Sequence, residues 1–331
     1  MSSAILWIVR LGAIGALASL PLVVDLYWVN TITLAFIYSI AVYSITVLTG
    51  FTGLLSFGQA GFVGLGAYTF GVMTVARIDP VLAALAGVAL PTVVGFLLAL
   101  PAARLKGHYM AIGTLGFGVL VAQLLTNLVD VTRGPMGLLG IRQIGLDRVQ
   151  WFYVAFAISL LILAGLTYLD RKTYLGVLLK SVRYDEISAR ASGVGVFALK
   201  LVAFSASAFL AGLCGVVLAA YMRFLTPDLF LPAESFRFLM MSVVGGVGSA
   251  AGAFIASLIL NLVPEALRAL GETNLRLLVY GVMVLSVLWF VPGGIGGLLE
   301  RWFRVRPSRT TEADLPQLSA SQGRAAGTLR P

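Results

Sequence analysis

Seven stretches of the chain contain no Asp, Glu, Lys or Arg: residues 26–76, 81–103, 107–129, 149–169, 201–222, 238–264 and 277–299. Roughly 20 mainly apolar residues cross the hydrocarbon core of a bilayer as a helix. The pattern therefore predicts membrane-spanning helices, and the first stretch is long enough for two of them. Residues 5–24 are apolar apart from Arg10, whose stem can lie along the apolar surface while its head reaches the headgroups. They look like a secretory leader but carry no clear small-residue cleavage site, so they are expected to be a retained first helix.

Composition agrees with the pattern. Of 331 residues, 59% are hydrophobic and 11% charged, with a mean hydropathy of +0.98. Soluble domains carry about 25% charged residues. The expected fold class is all-α, polytopic and membrane-embedded, in a single transmembrane domain over residues 1–306. The tail 307–331 is rich in Ser, Thr, Ala, Gly and Pro, lacks aromatics, and is expected to be disordered and cytoplasmic.

Charge sets the orientation, because Lys and Arg collect in short cytoplasmic loops. With the N-terminus inside and one crossing per stretch, 104–106 and 170–200 fall inside. A single crossing at 238–264 would push Arg301, Arg304, Arg306 and Arg309 outside. A hairpin that enters and leaves on the outer side keeps them inside. The count is then about eight spanning helices plus one Gly-broken re-entrant segment. Basic residues number 15 inside and 8 outside, acidic residues 6 and 8, which accounts for the whole formal charge of +9. The basic excess is thus an orientation signal and calls for no nucleic acid.

Glycine marks two places. Gly245, Gly246, Gly248 and Gly252 cluster in VVGGVGSAAGAF, and residues 50–68 form a second glycine-rich segment. Each glycine weakens a helix interior by about 1 kcal/mol relative to alanine. One reading is small residues letting helices pack closely. The other is two broken helices near the midplane, entering from opposite faces as in transporters with inverted repeats. Candidate polar partners for a substrate are Ser56, Gln59, Thr114, Gln123 and Asn127, with backbone exposed at Gly245, Gly246 and Gly248. Each could equally serve helix packing.

Between the fourth and fifth charge-free stretches lies a charged island, residues 170–200, DRKTYLGVLLKSVRYDEISARASGVGVFALK. Residues 174–192 contain good helix formers and no proline, and Gly193 and Gly195 offer a stop. As one helix they put Arg183, Glu186 and Arg190 on one face, with Glu186 before Arg190 in the favourable order. Val182, Ile187, Ala191 and Val194 would add apolar contacts. The island is either a solvated loop that sets topology or a docking helix for a cytoplasmic partner.

Several chemistries are absent. A P-loop needs Gly-x-x-x-x-Gly-Lys-Ser/Thr so that backbone amides and lysine hold phosphates. None of Lys106, Lys172, Lys180 and Lys200 follows glycine, so an ATP-driven machine would need its motor on another chain. His108 is the single histidine and Cys214 the single cysteine, which excludes an internal disulfide and any multi-cysteine or multi-histidine metal site. His108 is expected at a helix start and Cys214 as a small buried apolar group. No nucleophile, base and acid set is visible, and no cofactor is implied. An ion-coupled secondary transporter would place ionisable residues inside the membrane, and these stretches have almost none. A purely structural subunit would not need two glycine-broken elements.

Five sequences, taken in order, carry a resemblance: LTGFTGLLSFGQAGFVGLGAYTFGV at 48–72, RLKGHYMAIGTLGFG at 104–118 with TRGPMGLLGI at 132–141, SVRYDEISARASGVGVFALKLVAFSASAFLAGLCGVV at 181–217, and PDLFLPAESFRFLMMSVVGGVGSAAGAF at 227–254. Their order resembles the LivM-type permease subunits of ABC importers for branched-chain amino acids, over about residues 48–291. The resemblance implies an ABC importer permease fold with an inverted repeat, working in the bacterial inner membrane among lipid with both termini cytoplasmic. It implies two ATP-binding cassette subunits, a sister permease, usually a different chain, and an extracytoplasmic substrate-binding protein. The island would then be the coupling loop, its acidic-Ala-x-x-x-Gly pattern carried by Asp185, Glu186, Ala189, Arg190, Ala191 and Gly193, with Ser188 where many transporters have alanine. Related permeases carry urea, short amides or aromatic-compound derivatives, so the resemblance leaves those substrates open.

Overall fold

The computed structural model describes residues 12, 15–103, 108–142, 145–269 and 293–303, together with 281, 282, 285, 286 and 289. Residues 15–23 are helical; most of residues 5–14, about half of 277–299 and the tail lie outside the described residues. The long first stretch divides as expected into two elements. α1 is Leu26–Ile45 and runs on as a π-helical turn, Thr46–Phe51; α2 is Gln59–Val75. There follow α3, Pro80–Ala102; α4, His108–Asn127; α5, Arg148–Lys172; α6, Tyr174–Tyr184; and α7, Glu186–Ala191. Then come α8, Val196–Met222; α9, Pro232–Gly245; α10, Ala250–Ala269; and α11, Gly294–Phe303. The fold is an all-α polytopic bundle. Among the described residues, five helices are long and apolar enough to span: Leu26–Phe51, Pro80–Ala102, Tyr109–Asn127, Arg148–Lys172 and Val196–Met222.

Polar residues at the ends of apolar runs start the helices. The Asp79 carboxylate accepts from the Val81 N–H at 2.8 Å, and Pro80 occupies the first turn, where its missing N–H costs nothing. Asp147 and Gln150 form a capping box on α5.

α1 and α8 lie inside the bundle, while α3 turns Leu82, Leu85, Val93 and Leu97 outward. An apolar outer face is what lipid requires. Apolar matching cannot hold helices together in lipid, so close backbone contact and hydrogen bonds do. α8 packs between α2 and α3 through Gly212 against Gly66 and Ala208 against Gly95. Phe36 of α1 meets Phe152 and Phe156 of α5 and stacks on Phe254 of α10. Serines bridge helices: Ser39 with Ser159 at 2.6 Å, and Ser242 with Thr46 at 3.2 Å. Cys214 is fully buried, its thiol directed to the Ile37 carbonyl at 3.3 Å.

The 238–264 stretch is a hairpin. α9 and α10 are antiparallel, joined near their open end by the Arg237 guanidinium donating to Asn261 at 2.6 Å. Near the tip Gly245 meets the backbone of Gly252 and Ala253. The glycine breaks, however, do not sit at mid-depth. Leu26–Phe51 has 26 residues, about 39 Å of helix at 1.5 Å per residue, and so crosses the whole core before it turns. Its far end lies beside the hairpin tip, where a methyl group on Gly50 would stand 2.6 Å from the Gly248 Cα. At the other end of the same pair of helices the Tyr27 hydroxyl bonds Glu265 of α10. Both breaks therefore share one end of the bundle.

The opposite end is tied by a small antiparallel ladder, Leu138 with Leu225 and Leu139 with Phe224. It joins the loop after α4 to the loop after α8. This is the structural content of the TRGPMGLLGI segment: Gly137, with φ +76°, lies against the Leu225 carbonyl.

Candidate functional site

The island is built from two short helices, and this differs from the single helix that the sequence suggests. Thr173 caps α6, accepting from the Gly176 N–H at 3.2 Å, and Lys180 pairs with Asp170. α6 ends at Tyr184 because Asp185 is extended, with φ −160° and ψ 112°. Asp185 then caps α7, accepting from the Ile187 N–H at 2.9 Å and from the Ser188 hydroxyl. Ser188, which reads as a minor departure from the family pattern, thus closes the cap. These two bonds, Ser188 first, hold the Asp185 carboxyl below its ordinary value. A lowered value means that the cap is in place at neutral pH and is lost only as pH falls through it.

The break at Asp185 separates the three residues expected on one face. Arg183 turns back toward the bundle, its Nη1 donating to the Gly50 carbonyl at 2.6 Å and the Val247 carbonyl at 3.3 Å. Glu186 pairs with Lys200 of α8, which is only 3% exposed. Arg190 approaches Glu186 only at 4.0 Å and is largely exposed, a geometry worth little. Ala189 is buried, seating α7 on the bundle. Gly193, at φ +80°, closes the helix in a Schellman arrangement: its N–H bonds the Arg190 carbonyl and the Val194 N–H bonds the Ala189 carbonyl. The outer surface carries Tyr184, 86% exposed, and Ile187, 81% exposed. Val182 is buried and Ala191 exposed, so the four apolar residues do not share one role.

The two glycine breaks form adjoining turns beneath the island. Gly246 and Gly248 have φ of +97° and +96°, which lets the chain reverse between α9 and α10. Gly248 also lies against Gly50 and the Arg183 guanidinium, where a side chain would collide with both. A groove of about 350 Å³ separates residues 52–55 from 182–186.

The polar residues considered for a passage are mostly engaged in packing. Gln59 is fully buried, accepting from the Ser44 hydroxyl at 3.1 Å and donating to Ser207 at 3.0 Å. Thr114 accepts from the Phe57 N–H at 3.0 Å, and Ser56 accepts from the Gly58 N–H at 3.3 Å. Gln123 and Asn127 are exposed on α4 and bonded to each other at 3.3 Å. At the opposite end a cavity of about 560 Å³ is bordered by Asn30, Arg148, Trp151, Tyr221 and Arg223.

Sequence reasoning missed Lys200 as an interior charge and the Gly50 and Val247 carbonyls as partners. For Lys200 a signal exists: a lone lysine at the head of a long apolar run, 14 residues after a glutamate. For the carbonyls none does, because backbone acceptors leave no mark in a sequence.

Residues 27–288 match the family described as the permease component of branched-chain amino acid transport systems. The high-affinity branched-chain amino acid transport system permease protein LivM of Escherichia coli is 32% identical, over 93% of this chain and 75% of its own length. Its Salmonella typhimurium counterpart is 31% identical over the same shares. A probable branched-chain amino acid transport permease protein LivM from Methanocaldococcus jannaschii is 25% identical, over 61% of this chain and 64% of its own. No solved structure matches. With the family match covering most of the bundle, glycine turns and island included, the chain belongs to the LivM-type permease components of branched-chain amino acid transport systems.

Proposed function

We propose that this permease forms the membrane path of an ATP-driven importer for branched-chain amino acids, with ATP hydrolysed on separate subunits that dock on the island. The observation that carries the reading is the pairing of the family match with the island's build. α7 is fastened from below by Glu186 and Lys200 and seated through Ala189, while Tyr184 and Ile187 stand exposed above. Large apolar side chains exposed on a fastened element mark a protein contact. A sister permease completes the path, and an extracytoplasmic binding protein delivers substrate at the end of the small ladder. The island end is cytoplasmic, in the bacterial inner membrane.

The chain co-expressed with its ATP-binding and sister subunits and placed in liposomes tests this. ATP-dependent uptake of leucine, isoleucine or valine is the expected result. Uptake of urea, a short amide or an aromatic derivative in their place would assign another substrate, and uptake without ATP would remove the importer reading. Ile187→Asp puts a charge into the apolar contact and is expected to lower retention of the ATP-binding subunit about tenfold, roughly 1.4 kcal/mol. Retention equal to the parent would take the docking surface elsewhere. A tag placed after Arg309 is expected to resist labelling from outside intact cells; labelling there would reverse the orientation.

A further inference from the structure

We propose that Arg183 is the positioning residue that links the island to both glycine turns, so that movement of the island is passed to the end of the transport path. This inference rests on the importer reading above. The guanidinium reaches two carbonyls that belong to different parts of the chain. Gly50 lies in the last turn of the first long helix, where carbonyls lack partners within the helix, and Val247 lies in the turn of the hairpin. Hydrogen bonds from a charged donor are about twice as strong as neutral ones. A positive charge is also favoured at a helix C-terminus.

The surroundings of Arg183 are shaped to let it through. A methyl group on Gly248 would lie 2.8 Å from its Nη1, and one on Gly53 would lie 3.3 Å from its Cγ. Each turn thus carries a glycine where the arginine passes. The turns themselves meet through the backbone of Gly50 and Gly248, with no side chain from either glycine between them. Such a contact has little area to hold it, and the guanidinium bridges the same two segments. On the other side Arg183 continues directly into the elements that carry the docking surface: Val182 beside it is buried, Tyr184 is exposed, and Asp185 caps α7. A displacement of the island therefore draws on both turns at once through one side chain. Its release frees them to separate.

The test uses the complete complex in liposomes and reads substrate imported per ATP hydrolysed. Arg183→Met removes both bonds and is expected to lower that ratio at least tenfold. Arg183→Lys keeps a charge that can serve one carbonyl and is expected to lower it about threefold. An unchanged ratio in Arg183→Met would overturn the proposal. So would equal, proportional losses of uptake, hydrolysis and assembly in both variants, which is the signature of a residue that only holds the fold. Should Arg183→Met fail to assemble, Arg183→Lys decides alone: a lowered ratio supports the link and an unchanged one overturns it. Failure of the importer reading looks different, since the unaltered complex would then retain no ATP-binding subunit or would import without ATP.

Discussion

Glu186→Leu is expected to destabilise the permease by roughly 3 kcal/mol, seen as a lower unfolding temperature in detergent and faster protease cleavage of the island. The Lys200 side chain is 3% exposed, and Glu186 is its ion-pair partner among the described residues. Removing one member of such a pair leaves an uncompensated charge inside, at a cost of about 3–5 kcal/mol. The lower end applies here because Glu186 is 33% exposed and because a lysine can extend its head toward water. The double variant Glu186→Leu with Lys200→Met removes the stranded charge and is expected to recover most of the loss. If single and double variants unfold alike, the pair does not fasten the island, and loss of transport in Glu186 variants would have to arise at the docking surface.

Gly215→Val is expected to abolish recovery of folded protein from membranes. A Cβ at position 215 would lie 2.1 Å from the Val63 carbonyl oxygen and 2.7 Å from the Ala67 nitrogen. Both are backbone atoms of α2 and cannot swing aside, so α2 and α8 must separate along a contact that the bundle's centre depends on. Overpacking commonly costs about 1–3 kcal/mol where side chains can give, and here none can. Gly165→Ala is the control: nothing lies within 4 Å of the added methyl group, and alanine is the better helix former by about 1 kcal/mol. Equal yields of the two variants would mean that α2 and α8 do not approach so closely.

Much of the architecture is legible along the chain because lipid imposes a simple code. Charge-free stretches at 81–103 and 149–169 return as Pro80–Ala102 and Arg148–Lys172, and Gly246 and Gly248 do mark a reversal. What the code does not give is depth. Glycines near the middle of a long stretch suggest mid-membrane breaks, yet Gly50 lies at the end of a helix, because the stretch holds two crossings and its middle is a turn. The island shows a second limit. Periodicity puts Arg183, Glu186 and Arg190 on one face only if the helix is continuous. The local competition of the Asp185 side chain for the Ile187 N–H, with Ser188 assisting, breaks it. Gln59 shows a third: a lone polar residue in an apolar stretch reads the same whether it faces a passage or, as the structure has it, two serines of neighbouring helices.

The burial of Cys214 has a practical consequence. It is the chain's single cysteine and is fully enclosed, with its sulfur against a helix carbonyl. Thiol reagents added to the folded protein should leave it untouched. A cysteine introduced at Leu55, Tyr184 or Ile187 would then be the one group that a maleimide or spin label modifies. The natural chain is therefore already a background for mapping, site by site, which surfaces become covered when the partner subunits assemble.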